Sequence, residues 1–308
     1  MRIILYLLLL VFLFACQPST TALPIPGSTS TAKPSSATSV PPTSSAQTPS
    51  LPASPLPPTE PIPETQIPTE ALPLSITVVY NNIEYDPRLE TAWGFAALVE
   101  RGDQSLLFDT GGDGNILLRN MATLGIDPER IQGVVLSHIH GDHVGGLNEL
   151  LNVGLDSTIY IPPSFPASFK NSVKQAAPLL EVEPGLFIMD GILSTGELGK
   201  SIPEQALIIR TTRGMVIITG CAHPGVVQMV EQAIRLTDEP VYLVMGGFHL
   251  GQTSRSRITG IVESFKEMGV EKVAPSHCTG NQAIEMFREA YGDAFIDAGA
   301  GCVILIET

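Results

Sequence analysis

The segment Ser137-His138-Ile139-His140-Gly141-Asp142-His143 constrains this chain more than any other stretch of its 308 residues. Four side chains able to ligate a metal fall within six residues. They follow the β-rich run Gly133-Val-Val-Leu136, so they lie on a loop leaving a strand. Imidazole nitrogen and carboxylate oxygen are donors that Zn²⁺, Fe²⁺ and Mn²⁺ accept. His138 and His140 can converge on one ion while Asp142 and His143 turn toward a second. Two such ions clamp a hydroxide and lower its pKa, creating a nucleophile at neutral pH. The alternative is a histidine-rich surface turn.

Against that alternative stands the placement of the other histidines. The chain has six, and His223, His249 and His277 also follow strand-like runs, in turn-rich segments. Open α/β sheets place their ligand sites at strand carboxyl ends, so all six are expected at or near one centre.

The chain opens with MRIILYLLLLVFLFA, one basic residue and then an apolar run of signal-peptide length, too short for a comfortable span of about 20 residues. Leu13-Phe14-Ala15-Cys16 resembles a bacterial lipobox, which implies cleavage after residue 15 and lipidation at Cys16. An uncleaved anchor ending at a cysteine is the other reading. Both place the following domain outside the cytoplasmic membrane, the first as a protein lipid-anchored to its outer side or to the cell envelope. Residues 17–72 hold 14 of the 26 prolines and 20 Ser or Thr, with no aromatic residue, so residues 16–72 read as a disordered tether with a reach of at most about 170 Å.

Residues 73–308 have globular composition and suit one compact domain. Their 15 Lys and Arg against 28 Asp and Glu disfavour nucleic acid as a partner and leave a small molecule as the expected substrate. Three cysteines remain, Cys221, Cys278 and Cys302, a number and spacing unlike a disulfide framework.

The spacing predicts strands over 75–80, 94–99, 105–108, 133–136, 206–209, 215–219, 241–244, 272–274 and 302–306. It predicts helices over 115–124, 225–236, 258–268 and 281–291. Strand groups and helices alternate in two comparable blocks, the grammar of an α/β protein with two sheets face to face and helices outside.

With Leu107-Phe-Asp-Thr-Gly111 ahead of it, the His-x-His-x-Asp-His segment resembles the metallo-β-lactamase superfamily over nearly all of residues 74–308. The resemblance implies an αββα sandwich, two packed mixed sheets with helices on the outer faces and the metals at the edge between the sheets. Asn81-Asn82, Ala92-Trp93-Gly94-Phe95, Gly220-Cys-Ala-His-Pro-Gly225, Gly246-Gly-Phe-His-Leu250 and Ser276-His-Cys-Thr-Gly280 are similar to the dihydropterin-phosphate-synthase-like subgroup. Carried over, His138 and His140 would hold the first metal, with His223 the best candidate for its third ligand. Asp142, His143 and His277 would hold the second, and Asp142 belongs to the catalytic set.

One position departs from the wider family, which often has a metal-bridging aspartate where this chain reads Gly220-Cys221. Cys221 is there either a thiolate ligand or a small buried residue. His249 is expected to donate a proton to the leaving group or orient substrate, with a packing role as the alternative. Asp109 is expected to orient the histidine loop without touching metal. Trp93 is either a core residue or part of the pocket wall.

The expected activity is therefore hydrolysis of an ester or phosphoester-type small molecule by a hydroxide held on two divalent transition-metal ions, Zn²⁺ first, with Fe²⁺ or Mn²⁺ as alternatives. Three other readings stay open: a dihydropterin-phosphate-synthase-like condensing enzyme, a di-iron redox protein, and a ligand-capturing lipoprotein. Fold resemblance alone does not choose among them.

Overall fold

The computed structural model describes residues 73–307; the expected signal peptide, Cys16 and the tether lie outside the described residues. The first half runs β1 (Leu74–Asn81), β2 (Phe95–Arg101), β3 (Gln104–Phe108), α1 (Gly114–Leu124), β4 (Gly133–Val135), α2 (Gly141–Val144), α3 (Leu147–Asn152), β5 (Thr158–Ile161), α4 (Ala167–Val173) and β6 (Leu179–Glu181). The second runs β7 (Phe187–Met189), β8 (Ile192–Ser194), β9 (Leu207–Ile209), β10 (Met215–Thr219), α5 (Val226–Thr237), β11 (Val241–Gly247), α6 (Arg255–Glu267), β12 (Lys272–Ser276), α7 (Asn281–Tyr291) and β13 (Val303–Ile306).

Side-chain parity sorts these strands into layers. Successive side chains of a strand point to opposite faces, so a strand apolar throughout must be covered on both. In β10, Val216 and Ile218 join the core between the sheets, while Met215 and Ile217 join the core beneath α5, α6 and α7. In β2, Phe95, Ala97 and Val99 face the other sheet, while Ala96 and Leu98 face α1 and α3. The result is the expected four-layer αββα sandwich. Its sheets are mixed, in the orders β13-β1-β2-β3-β4-β5-β6 and β12-β11-β10-β9-β8-β7.

Within the first sheet β3, β4 and β5 are parallel, and within the second β10, β11 and β12 are parallel. These two parallel groups carry the histidines at their carboxyl ends. A β-bulge between Val78 and Tyr80 puts Val79 and Tyr80 on the same helix-facing side, and Tyr80 then packs under the Gly111-Gly112 turn next to the site. Among the described residues no helix is long and apolar enough to cross a membrane.

Candidate metal centre

The histidine segment begins where β4 ends. Asp109, at the end of neighbouring β3, holds it in place from a left-handed backbone (φ 58°). Asp109 is fully buried and accepts three hydrogen bonds: from the Ser137 amide (2.7 Å), the Ser137 hydroxyl (2.8 Å) and His143 Nδ1 (2.7 Å). Next to it, Thr110 donates its amide (2.7 Å) and its hydroxyl (2.9 Å) to the His143 carbonyl. The turn formed by Asp109, Thr110 and Gly111 thus fixes both the ring and the backbone of His143, and leaves Nε2 facing the centre.

A second buried carboxylate does the same in the other half. Glu204 takes the amides of Cys221 (2.8 Å) and Ala222 (2.8 Å) on one oxygen, and the amide (3.0 Å) and Nδ1 (2.9 Å) of His223 on the other. Its neighbour Gln205 ties the halves together, donating its amide to the Ser137 carbonyl (2.9 Å) and Nε2 to the Leu136 carbonyl (2.9 Å). The close approach needs glycine at 220, because a Cβ there would collide with Ser137 Oγ and sit 2.8 Å from Asp109 Oδ2.

The carboxyl ends of the strands deliver every histidine to one rim. His138 Nε2 lies 3.1 Å from His140 Nδ1, and the rings of His138 and His140 lie 4.7 and 4.8 Å from that of His223. Across the centre, Asp142 Oδ2 lies 3.5 Å from His143 Nε2 and 3.3 Å from His277 Nε2. Asn82 fixes His277 by accepting a hydrogen bond from Nδ1 (2.8 Å). Cys221 belongs to both groups: its donor atom lies within 4.8 Å of those of Asp142, His143 and His277, and equally of those of His138 and His223. Its Sγ is 3.2 Å from His143 Nε2, so it occupies the place between the two sets where a bridging ligand would stand.

Electrostatics leave His138, His143 and Asp142 in ligand form. Burial lowers His138 to about 3 and His143 to about 4, so both rings are neutral and offer a lone pair. Burial also acts on Asp142, but hydrogen bonding and the charges of His277 and His143 outweigh it and hold Asp142 below the usual carboxylate range. Burial dominates for Asp109, pushed up to about 8, whereas Glu204 is held at about 2 because His223, His138 and backbone amides outweigh its burial. Cys221 keeps the proton it shares with Cys278, which raises Cys221 and lowers Cys278.

The donors fit a pair of divalent cations. His277 Nε2 is buried with only the Asp142 carboxylate, 3.3 Å away, beside it and no well-aligned hydrogen bond among the described residues, an expense that a bound cation would remove. The 3.1 Å between His138 and His140 nitrogens is near the edge of about 3.3 Å expected for two ligands on one tetrahedral ion at roughly 2.0 Å.

Each residue expected at the metal centre from the sequence has a definite place. His138, His140, Asp142, His143, Cys221, His223 and His277 converge, and Asp109 supports from behind. His249 stands beside them, exposed, its ring 4.4 Å from that of His223. Trp93 is not a core residue: it is 59 % exposed at the rim, its ring 4.8 Å from that of His277. Glu204, Gln205 and the role of Asn82 escaped the sequence reading. Of five non-glycine residues at positive φ among the described residues, four (Asp109, Ala222, His249 and His277) line this centre, the concentration of strain expected of a functional site.

Comparison with known proteins gives the same neighbourhood. A family model described as the metallo-beta-lactamase superfamily matches residues 94–230. The 7,8-dihydropterin-6-methyl-4-(beta-D-ribofuranosyl)-aminobenzene-5'-phosphate synthase of Methanocaldococcus jannaschii is 30 % identical over 246 aligned residues, covering 65 % of this chain and 83 % of the relative. Among solved structures, Tm1679, a metal-dependent hydrolase of the beta-lactamase superfamily, superposes with a TM-score of 0.65 at 29 % identity, covering 76 % of this chain and 100 % of that one. The metallo-beta-lactamase fold protein YhfI from Bacillus subtilis shares the fold, at a TM-score of 0.59 and 16 % identity over 76 % of this chain and 100 % of its own.

Proposed function

Because the chain belongs to the metallo-beta-lactamase superfamily, we propose that it is a metal-dependent hydrolase that adds water to an ester or phosphoester bond of a small molecule. The observation that carries this reading is the pair of donor sets meeting at Cys221. His138, His140 and His223 would hold one divalent ion, and Asp142, His143 and His277 the other, with Cys221 between them. Two ions bound there would supply a water acidified toward neutral pH and a clamp on the charge that develops at the attacked centre.

The chain's own residues do the rest. Asp109 and Glu204 lock the tautomers of His143 and His223, so each ring presents Nε2 to the centre. His249 is exposed beside His223, and its hydrogen bond with Cys278 raises its affinity for a proton, which it can deliver to a departing oxygen. Trp93 stands exposed at the entrance, where its ring would meet substrate. The lipid anchor at Cys16 and the tether would carry this site outside the cytoplasmic membrane, where its substrate would be met.

A second reading has one observation in its favour, because the Methanocaldococcus jannaschii relative is named a synthase. On that reading the same centre expels a leaving group without adding water. Turnover of a phosphodiester, phosphomonoester, lactone and thioester panel in ¹⁸O-labelled water separates the two. Hydrolysis places the label in product and stops when the ions are removed by a chelator. Unlabelled product favours condensation, and full turnover by metal-free protein overturns both.

A further inference from the structure

We propose that Cys221, His249 and Cys278 form a third, sulfur-rich subsite that takes a thiophilic divalent cation such as Zn²⁺ or Cd²⁺. This goes beyond the two-ion reading and needs no particular substrate.

Strand register makes the trio. β10, β11 and β12 are adjacent and parallel, with Thr219 opposite Gly246 and Gly247 opposite Ser276. Each donor stands two residues beyond its strand: Cys221 after Thr219, His249 after Gly247, Cys278 after Ser276. Their donor atoms all lie within 4.8 Å of one another. On a tetrahedral ion with sulfur at about 2.3 Å, sulfurs stand about 3.8 Å apart, so closing around a cation asks for a shift of about 1 Å or less per atom. Gly247 keeps the space open, because a Cβ there would lie 2.7 Å from Cys278 Sγ and 3.2 Å from the Cys221 Cα.

Charge and access favour a soft cation. Two thiolates neutralise a divalent charge, with the proton shared by Cys221 and Cys278 released to solvent, and sulfur suits a soft cation better than the imidazole nitrogens of the other sets. Both thiols are free and buried, while His249 is exposed and gives the ion its way in. The fourth position stays open to solvent beside His249. An ion there withdraws His249 from proton delivery and shares Cys221 with the histidine sets, so excess soft metal would restrain the centre.

The test uses the full chain, reduced, stripped of metal and titrated with Cd²⁺ or Co²⁺ under anaerobic conditions. Ions retained after desalting are counted, and thiolate-to-metal charge transfer is followed in the ultraviolet. Wild type should retain about three ions per chain, and Cys278→Ala about two, with roughly half the charge-transfer intensity. His249→Ala, at an exposed position, should also retain about two while keeping both thiols. Equal ion counts in all three proteins, or undiminished charge transfer in Cys278→Ala, would overturn the subsite and leave the proposed hydrolase standing. Three ions without hydrolysis of any ester would do the reverse.

Discussion

Asp109 and Glu204 do the same work in opposite halves of the centre and are electrostatically opposite. Each is fully buried, and each orients a histidine through Nδ1. Asp109 accepts one backbone amide, one hydroxyl and one imidazole, too little to offset burial, and rises to about 8. Glu204 accepts three backbone amides and an imidazole, with His138 Nδ1 a further 3.9 Å away, and is held at about 2. Donor number decides whether a buried carboxylate is a built-in anion or one that waits for a cation. Glu204 is the former, a part of the apo fold. Asp109 is the latter, and metal binding should complete it.

The largest test of that division removes a ligand that both halves serve. His138→Ala should lose one ion per chain and reduce turnover by about 10³-fold or more, measured by elemental analysis and steady-state kinetics. An unchanged ion count would dissolve the centre that both carboxylates are argued to support. Next in size is Glu204→Gln, whose amide cannot accept from all four donors. It should cost about 3–5 kcal/mol in urea unfolding of the metal-free chain. Asp109→Asn should behave differently, costing less than about 1 kcal/mol without metal but weakening metal affinity about 10–100-fold. Equal unfolding costs for the two substitutions would break the comparison.

The smallest effect is on pH dependence, and its sign follows from the same groups. His138 and His143 are lowered in the folded chain, so the unfolded chain binds more protons and stability rises from about pH 3 to about 6.5. Glu204, also lowered, adds to stability above its unfolded value near 4.5 and gives it up as pH falls toward 2. Asp109 is raised, so its contribution is full below about 3.9 and is lost as pH climbs to about 8. Between about pH 6.5 and 8 Asp109 acts without the other three. Across that window Cys278, lowered in the folded chain, acts in the opposite sense, so the metal-free melting temperature should fall by a few degrees relative to that of Asp109→Asn, and this pH-dependent difference should vanish when metal is added. A difference between the two metal-free proteins that stays constant across the window would mean that Asp109 is ionised without a cation.

The two halves also differ in how much the sequence reveals. His138, His140, Asp142 and His143 were legible because a metal loop on one strand end packs its donors into six residues. The helix over Asn281–Tyr291 was placed to the residue because its apolar face repeats at helical spacing. Glu204 was not legible, since an acid in Ile202-Pro-Glu-Gln-Ala206 looks like a turn residue until β9 and β10 bring it under Cys221 and His223. Its one signal is an acid two residues ahead of the apolar run from Ala206 to Ile209. Residues 147–194 stayed unassigned because their elements, α3, β5, α4, β6, β7 and β8, span three to seven residues, too short for periodicity to show. Trp93 has two readings in the sequence for a different reason: tryptophan usually packs inside, and only the position of His277, 184 residues later, gives it a place at the rim.

The most direct test of the metal centre is element-specific anomalous diffraction from crystals of the metal-loaded chain. The account predicts one peak about 2.0–2.2 Å from the facing nitrogens of His138, His140 and His223, and a second at like distance from Asp142, His143 and His277. Anomalous density at neither position, in protein that still turns over substrate, would contradict it.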